Sequence, residues 1–512
     1  MGLISAGPLT PLRAADRAIA IPATTLDMAL TTLARQTGGD IVSVEPGLRQ
    51  VRVAPLAGAM SLREALARLL AGSGYRAIRV NDTSYRIVRG ETRRVAARPA
   101  AAASPSAVAG DIIVTASKQH VALLRYPGAI TVVSGLASPG APRATPDMDG
   151  AARTLPVLQS TALGAGRDKL FIRGVADSSF NGATQSTASM YFGDVPLIYA
   201  GPEPDLRLYD MQDVEVMEGP QGTLYGAGAI GGIIRLTPAP VDLRHASGAV
   251  EAGVSATASG EPGFDASARI DMPLAEDVAG LRGVAYRIRD GGYIDDRGQG
   301  RRDVNRVDTV GGRLAGRVDP GNGWDIELSG LFQRVDGRDA QYADGPGHLT
   351  RTTLQAQPYH SAFALGRLVV TKAWDSGLEL TSATGVSDDH AGDLFDATSA
   401  MPGATEPIAY RTDNARLLLT QEARLSRSLP GGNRWVVGLT LLSNRDTQSR
   451  ETGPIDNPIE IIGVTNVTRS ASLFGEGTLA LSSAFSATLG ARLTYARTDG
   501  EPSTQPINNA FI

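Results

Sequence analysis

The chain is 512 residues long, enough for roughly three or four domain-sized units. Its 49 basic and 53 acidic residues are well mixed and leave a formal charge of −4, so it carries no basic footprint for nucleic acid, and the absence of Cys excludes disulfides, thiolate metal sites and Cys nucleophiles. With 59 Gly, 5% aromatic residues and a mean hydropathy of −0.07, a spanning helix of about 20 apolar residues fits nowhere, whereas membrane strands alternating between two faces would hold the average near zero.

Residues 1–17 read as a leader remnant or disordered tail. Met1 to Arg13 has no basic opening and Pro8 and Pro11 cut its apolar stretch, so the true leader is expected to be missing from this sequence. Residues 18–90 then switch from strand to helix and back twice. Ile19 and Ile21 open a strand, and Leu26, Ala29, Leu30 and Leu33 share one helical stripe that Gly38 and Gly39 stop. After the strand Ile41 to Val44, Ser61-Leu62-Arg63-Glu64 reads as a capping box in which Ser61 caps the helix and Glu64 reaches back. Leu62, Ala65, Leu66, Leu69 and Leu70 supply its buried stripe, and Tyr75 to Val80 with Ser84 to Val88 read as a hairpin across Asn81-Asp82. This βαββαββ pattern resembles the secretin and TonB short N-terminal domain. The resemblance implies a periplasmic α+β signalling domain, with an inner-membrane anti-sigma regulator as its partner.

Residues 91–110 are almost all Ala, Pro, Ser, Val and Arg, too poor in apolar bulk to offset chain entropy, and read as a flexible tether. The segment 111–117 follows, with Asp111, Ile112, Ile113, Val114, Thr115 and Ala116 forming a β-prone run that has no partner strand nearby. Such a run is suited to adding itself to another protein's sheet edge. It resembles the TonB box of outer-membrane receptors, which implies a TonB-like inner-membrane energy coupler as partner.

Residues 118–240 carry the most specific stretch. Val214 to Tyr225 and Gly226 to Leu236 read as a strand, a tight turn at Gly219-Pro220, a short helical turn, a Gly-rich loop and a second strand. The stretch, with Glu215, Gly219, Pro220, Leu224, Tyr225 and Gly226, closely resembles the terminal motif of the plug of TonB-dependent receptors. Leu155 to Leu158, Phe171 to Val175 with Arg173 and Gly174, and Tyr191 to Leu197 match its other characteristic segments. Many relatives have a basic residue where Glu218 stands and an Asp where Gly193 stands, so the barrel-wall contacts of those residues do not carry over. Gly226-x-Gly228 and Gly231-Gly232 lack the spacing of a nucleotide loop. The five His are scattered, with neither metal-ligand spacing nor a catalytic arrangement; no enzyme, metal site or cofactor is expected.

From 245 to 512 the period becomes two. Val250, Ala252, Val254 and Ala256 alternate with polar or small residues, as do Phe264 to Met272, Trp324 to Phe332 with Leu331 as the exception, and Phe485 to Tyr495. Phe264, Trp324, Phe332, Phe485 and Tyr495 are expected at strand ends, as aromatic girdles at the bilayer interfaces. The insertions Gly337 to Gln357 and Asp388 to Thr412 read as extracellular loops. Plugged outer-membrane transporters use about 22 strands, against roughly 11 segments here, so the antiparallel membrane-spanning β-barrel is expected to be about half present. The expected fold is therefore an α+β domain, a plug with a mixed sheet, and the first part of a barrel in outer-membrane lipid, with the N-terminal domain in the periplasm.

The resemblance implies energy-coupled import of a scarce solute across the Gram-negative outer membrane, a ferric siderophore first, with iron present only as part of the cargo. A glycan, an aromatic compound or a cobalamin is the alternative cargo, and a receptor that mainly signals is the alternative role. A passive plugged porin is disfavoured by the 111–116 segment. Candidate ligand contacts are Ser178, Ser179, Phe180 and Asn181, and Tyr199, Glu203 and Arg207, which fall between plug strands where the family exposes its apical loops.

Overall fold

In the computed structural model the described residues are 17–89, apart from 38–39, 44–47, 49–50, 72, 74 and 80–83; 113–175, apart from 115–117, 120, 123–125, 127, 135–147, 162 and 165–166; and 185–502, apart from 202, 227, 346, 430 and 483–484. The chain divides into two compact units, Met1–Val108 and Ala109–Ile512.

The first unit contains β1 (Arg17–Ile21), β2 (Thr24–Thr25), α1 (Leu26–Thr37), β3 (Asp40–Ser43), β4 (Arg52–Val53), β5 (Leu56–Met60), α2 (Leu62–Leu70), β6 (Tyr75–Arg79) and β7 (Ser84–Arg89). Helix α1 buries Leu26, Ala29, Leu30 and Leu33, one stripe at three-and-four spacing, against Ile19, Ile21, Leu66 and Ile87. At the start of α2 the Ser61 side chain accepts the Glu64 N–H at 3.3 Å. The other half of the expected box is not made as read: Arg68 Nη2 donates to the Glu64 carboxylate at 2.7 Å, an i,i+4 pair on the exposed face. Strand β7 pairs antiparallel with β6 and parallel with β3, a long-range pairing that the hairpin pattern alone does not contain. Leu66 is 1% exposed, and Leu66→Asp would place an unpaired carboxylate in a domain held by roughly 5–15 kcal/mol. Residues 15–92 expressed alone should melt cooperatively, and this variant should show no transition; a circular-dichroism melt like the parent's would refute the core assignment.

The second unit begins with β8 (Ile113–Val114) and β9 (Val121–Ala122), then β10 (Ile130–Ser134), α3 (Met148–Thr154), β11 (Leu158–Ser160), β12 (Leu170–Ile172), β13 (Ala188–Phe192), β14 (Val195–Pro196), β15 (Met211–Glu218), α4 (Gly222–Tyr225) and β16 (Gly232–Pro238). The expectation of a lone strand at 111–116 needs correction, because Ile113 and Val114 pair antiparallel with Ala122 and Val121. A strand with open N–H and C=O groups takes the nearest β-prone partner, and here that is its own chain a few residues on. Five strands make a mixed sheet in the order β10-β15-β16-β13-β14, with β13 parallel to β16 and the other neighbours antiparallel. The turn between β15 and β16 is closed by Gly219 N–H to Gly231 C=O at 2.9 Å and Gln221 N–H to Ala229 C=O at 2.8 Å. Gly232 cannot be replaced there, since a Cβ would stand 2.1 Å from the Met217 carbonyl oxygen.

Around this plug runs an antiparallel sheet of eleven strands: β17 (Ser247–Ser255), β18 (Gly263–Ala275), β19 (Ala279–Asp290), β21 (Val307–Gly321), β22 (Trp324–Gly337), β24 (Tyr359–Ala373), β25 (Leu378–Asp396), β26 (Ile408–Ser428), β27 (Arg434–Pro454), β28 (Ile459–Ala480) and β29 (Ser486–Pro502), each beside its neighbour in sequence. The short pair β20 (Asp295–Asp296) and β23 (Thr350–Arg351) lies in the connections and is parallel. Connections at one end are short, 276–278, 322–323, 374–377, 429–433 and 481–485; those at the other include 291–306, 338–358 and 397–407. Val250, Val254, Ile270, Leu314, Leu328 and Phe332 point outward and exposed, while Asp271, Arg282, Arg313, Ser329 and Gln333 point inward and buried. No described helix is long and apolar enough to cross a membrane.

Two sequence expectations are corrected here. Asp388 to Asp396 and Ile408 to Thr412 continue the β25–β26 ladder, so the connection shrinks to 397–407; polar residues persist in these strands because one face looks into the lumen. Trp324 begins β22 and Phe264 stands second in β18, but Phe332 and Tyr495 lie inside β22 and β29, which run further than the apolar pattern did. The 338–358 connection is ordered by Arg351, which is fully buried between Asp296, at 3.1 Å, and Asp339, and donates to the Ala340 carbonyl at 2.8 Å.

Candidate functional site: the seam between plug and barrel wall

The plug and wall share one apolar core. Leu331, Phe363, Leu365, Val369 and Ala383 from the strands pack with Val195, Leu197, Leu206, Leu208 and Ile234 of the plug. Leu331, which broke the outward alternation of β22, is thereby explained: it faces inward and is covered by the plug. Around this core the contact is ionic.

Asp210 is the strongest tie. It sits at φ 59°, a conformation Asp tolerates, and its carboxylate receives Arg282 Nε at 2.7 Å together with the Arg313 guanidinium. Arg282 Nη1 also reaches Asp271 at 2.5 Å, so a plug carboxylate is wired through a wall arginine to a second wall carboxylate. Asp194 makes a second knot, 3.0 Å from Arg424 and 3.6 Å from Arg235. Burial opposes its charge, yet the guanidinium groups of Arg424, Arg235 and Arg367 outweigh that and hold its carboxyl far below the usual range. At φ 60° Gly193 lies under the Arg367 guanidinium, where a Cβ would come within 3.1 Å of it, and the carboxylate of this turn is provided by its neighbour Asp194.

Lys118 stands two residues beyond the 111–116 segment. Its Nζ contacts Glu422 on β26 at 2.5 Å and lies 4.5 Å from the Tyr225 ring centre and 4.8 Å from that of Phe474. Desolvation lowers its pKa, against the pull of Glu422. It is the first buried charge of the plug after that segment.

At the long-connection end, Arg167 lies between the rings of Tyr359 and Phe395, at 4.6 and 4.5 Å, and pairs with Asp393. The segment 199–207 is tied down by Arg416 Nη2 to the Gly201 carbonyl at 3.2 Å, Gln333 Nε2 to the Asp205 carbonyl at 2.9 Å, and Arg207 N–H to Gln333 Oε1 at 2.8 Å. The Arg207 side chain faces Asp290 at 3.3 Å. Burial pushes Glu203 up to about 7, although Ser186 donates to it at 3.1 Å and Lys169 is near.

The sequence-derived contacts divide accordingly. Tyr199 is half-buried, while Glu203 and Arg207 are buried and hold the plug to itself and to the wall, where solvent-facing loop positions were expected. Ser178, Ser179, Phe180 and Asn181 lie outside the described residues, as do Asp111, Ile112, Thr115 and Ala116. Of the plug motif, Glu215 meets Arg235 at 3.5 Å, Leu224 and Tyr225 are buried, Arg173 and Gly174 turn the chain at positive φ, and Glu218 faces Arg173 at 3.6 Å, within the plug. Sequence reading missed Lys118, Asp194, Asp210, Arg282, Arg313, Arg416, Glu422 and Arg424. For Arg282, Arg313, Arg416, Glu422 and Arg424 the one sequence signal is a charge on a strand's inward face, a position that becomes buried only if something fills the lumen; Lys118, Asp194 and Asp210 stand outside the strands and carry no such signal. Among the described residues no His/Asp/Glu group is arranged to hold a metal ion.

Residues 123–233 match the family model of the TonB-dependent Receptor Plug Domain. The pesticin receptor of Yersinia pestis is 34% identical over 135 residues, 24% of this chain and 19% of that protein. In structure the chain is similar to the ferripyoverdine receptor of the outer membrane of Pseudomonas aeruginosa, with TM-score 0.60, 15% identity, and 95% of this chain and 66% of that one covered. It is also similar to the ferric yersiniabactin uptake receptor of Yersinia pestis, with TM-score 0.56, 17% identity, and coverage of 73% and 61%. The chain thus spans about a fifth of the curated relative and under two thirds of each solved one. Its fold is that of a TonB-dependent receptor, plug plus barrel.

Proposed function

We propose that the chain is part of an energy-coupled importer of the Gram-negative outer membrane, driven by a TonB-like partner and carrying a scarce solute, with a ferric siderophore as the leading class. The observation that carries this reading is the seam: a folded plug is held in the lumen by buried, separable ion pairs, and the first of them, Lys118–Glu422, stands two residues from the segment offered to the partner. The 291–306 and 338–358 connections face outward, ligand settles on the plug apex, and 111–116 hands the plug to the coupler. Iron enters only as part of the cargo, and no resident cofactor is needed. The ligand gains leverage over the periplasmic side only through different affinity for the two plug states.

The α+β unit at 18–90 reports occupancy to a periplasmic anti-sigma regulator. Deletion of residues 15–92 should leave accumulation of labelled ligand at the parental level and abolish ligand-induced transcription from the receptor's own promoter, because plug and strands remain continuous. Loss of uptake at unchanged receptor abundance would refute the modular assignment.

A further inference from the structure

Around Gly201 the plug apex and the wall bring together three carboxylates and two cations. Arg416 on β26 contacts Asp389 at 2.5 Å through Nη1, has Nε 3.3 Å from Asp446, and donates from Nη2 to the Gly201 carbonyl at 3.2 Å. On the plug side, Lys169 and Glu203 pack against the same glycine: a Cβ there would lie 3.2 Å from Lys169 Cε and 3.8 Å from Glu203 Oε2. Asp389, Asp446 and Glu203 are 2%, 2% and 3% exposed. Both carboxylate oxygens of Asp446, and Oε2 of Glu203, lack a hydrogen-bond donor among the described residues.

A buried carboxylate without donors loses the hydration it had in the unfolded chain, and one guanidinium shared between two aspartates restores only part of it. With all three carboxylates ionised the cluster has one more negative group than Arg416 and Lys169 balance, and three of its oxygens accept no hydrogen bond among the described residues, one of them in the ion contact with Arg416 Nε. An ammonium group offers three donors and one positive charge, which complements both deficits. Its seat would be beside the contact by which Arg416 holds the apex segment 199–207 to the wall. A cation paired with Asp446 would compete with Arg416 for that carboxylate and so bear directly on this tie.

We propose that Glu203, Asp446 and Asp389 form a subsite for a cationic nitrogen of the ligand, so that the favoured cargo is a chelate carrying a free ammonium group. This rests on the importer reading. Near-neutral titration of Glu203, caused by its burial, fits a group that becomes fully charged only when a cation arrives.

The test is equilibrium binding to the purified receptor of three size-matched ferric trihydroxamates, whose one terminal amine is free, acetylated or succinylated. The free-amine form should bind at least about tenfold more tightly than the acetylated form, and the succinylated form most weakly. Asp446→Asn with Glu203→Gln, which keep volume and leave Arg416 its pair with Asp389, should remove that preference in protein that still melts cooperatively. If that double variant melts early, Asp446→Asn alone should still lower the preference. Absence of binding by the free-amine form, equal binding of all three, or an unchanged preference in the folded variants would overturn the proposal. Binding needs no energy coupling, so these outcomes are independent of whether import itself fails.

Discussion

Cells whose receptor lacks Asp111–Ala116 should bind ligand with the parental affinity and accumulate none of it. The segment precedes the plug in the chain, and the described ties at the apex are made by residues of 199–207 and the wall, so binding is expected to be unchanged. On the proposed reading its work is to offer main-chain groups to a partner's sheet edge. In the structure Ile113 and Val114 already pair with Ala122 and Val121, so the segment must exchange that two-residue ladder for the partner's. So short a ladder is a small obstacle compared with the longer pairing that a partner strand provides. Ile113→Pro should have the same phenotype as the deletion, because it removes a ladder donor without shortening the chain. Accumulation and surface binding of the same labelled ligand, measured on the same cells, separate the two steps; accumulation above background in either variant removes the importer assignment.

Asp210→Asn should weaken the hold on the plug by about 3–5 kcal/mol, the usual cost of breaking a buried ion pair from one side. Arg282 and Arg313 converge on this carboxylate, and all three side chains are less than a tenth exposed. Asn accepts the positive φ that Asp210 occupies, so the loss reports charge and not backbone strain. Asn keeps one acceptor oxygen but no charge, so Arg282 retains its pair with Asp271 while Arg313 is left without a paired carboxylate among the described residues, beside the Asp210 and Ala239 carbonyl oxygens at 3.4 and 3.5 Å. Urea titration followed by protease sensitivity of the plug should show an earlier midpoint, and adding Arg313→Met should recover part of the shift. A midpoint within error of the parent's would mean that the apolar core around Leu206, Leu331 and Phe363 alone retains the plug.

Local pattern carried much of this fold. The three-and-four spacing of Leu26, Ala29, Leu30 and Leu33 specifies a one-faced helix, and the alternation from Phe264 to Met272 specifies a strand with one apolar face. Both depend only on neighbours in sequence. The seam does not. Lys118 and Glu422 are 304 positions apart, and Asp210 and Arg313 are 103 apart; which inward charge meets which plug residue follows from strand register summed across the sheet, information absent from any window of the chain. Glu203 and Arg207 were missed too. They sit in a segment polar enough to read as a solvated loop, yet Arg207 is held by Gln333 of the wall, 126 positions away, and Glu203 is covered within the plug, where Ser186 donates to it. The pairing of Ile113 and Val114 was missed for the opposite reason, since the partner was close but only two residues long.

The burial of Arg351 between Asp296 and Asp339 has a consequence for how the molecule is seen from outside. The 291–306 and 338–358 connections share one charge centre, so what they present is a composite epitope. A linear peptide copied from 291–306 would lack Arg351, and one copied from 338–358 would keep Arg351 and Asp339 but lack Asp296, so neither would reproduce that surface. Antibodies raised against the folded protein and against such peptides would therefore recognise different antigens, and a change in one connection is constrained by the chemistry of the other.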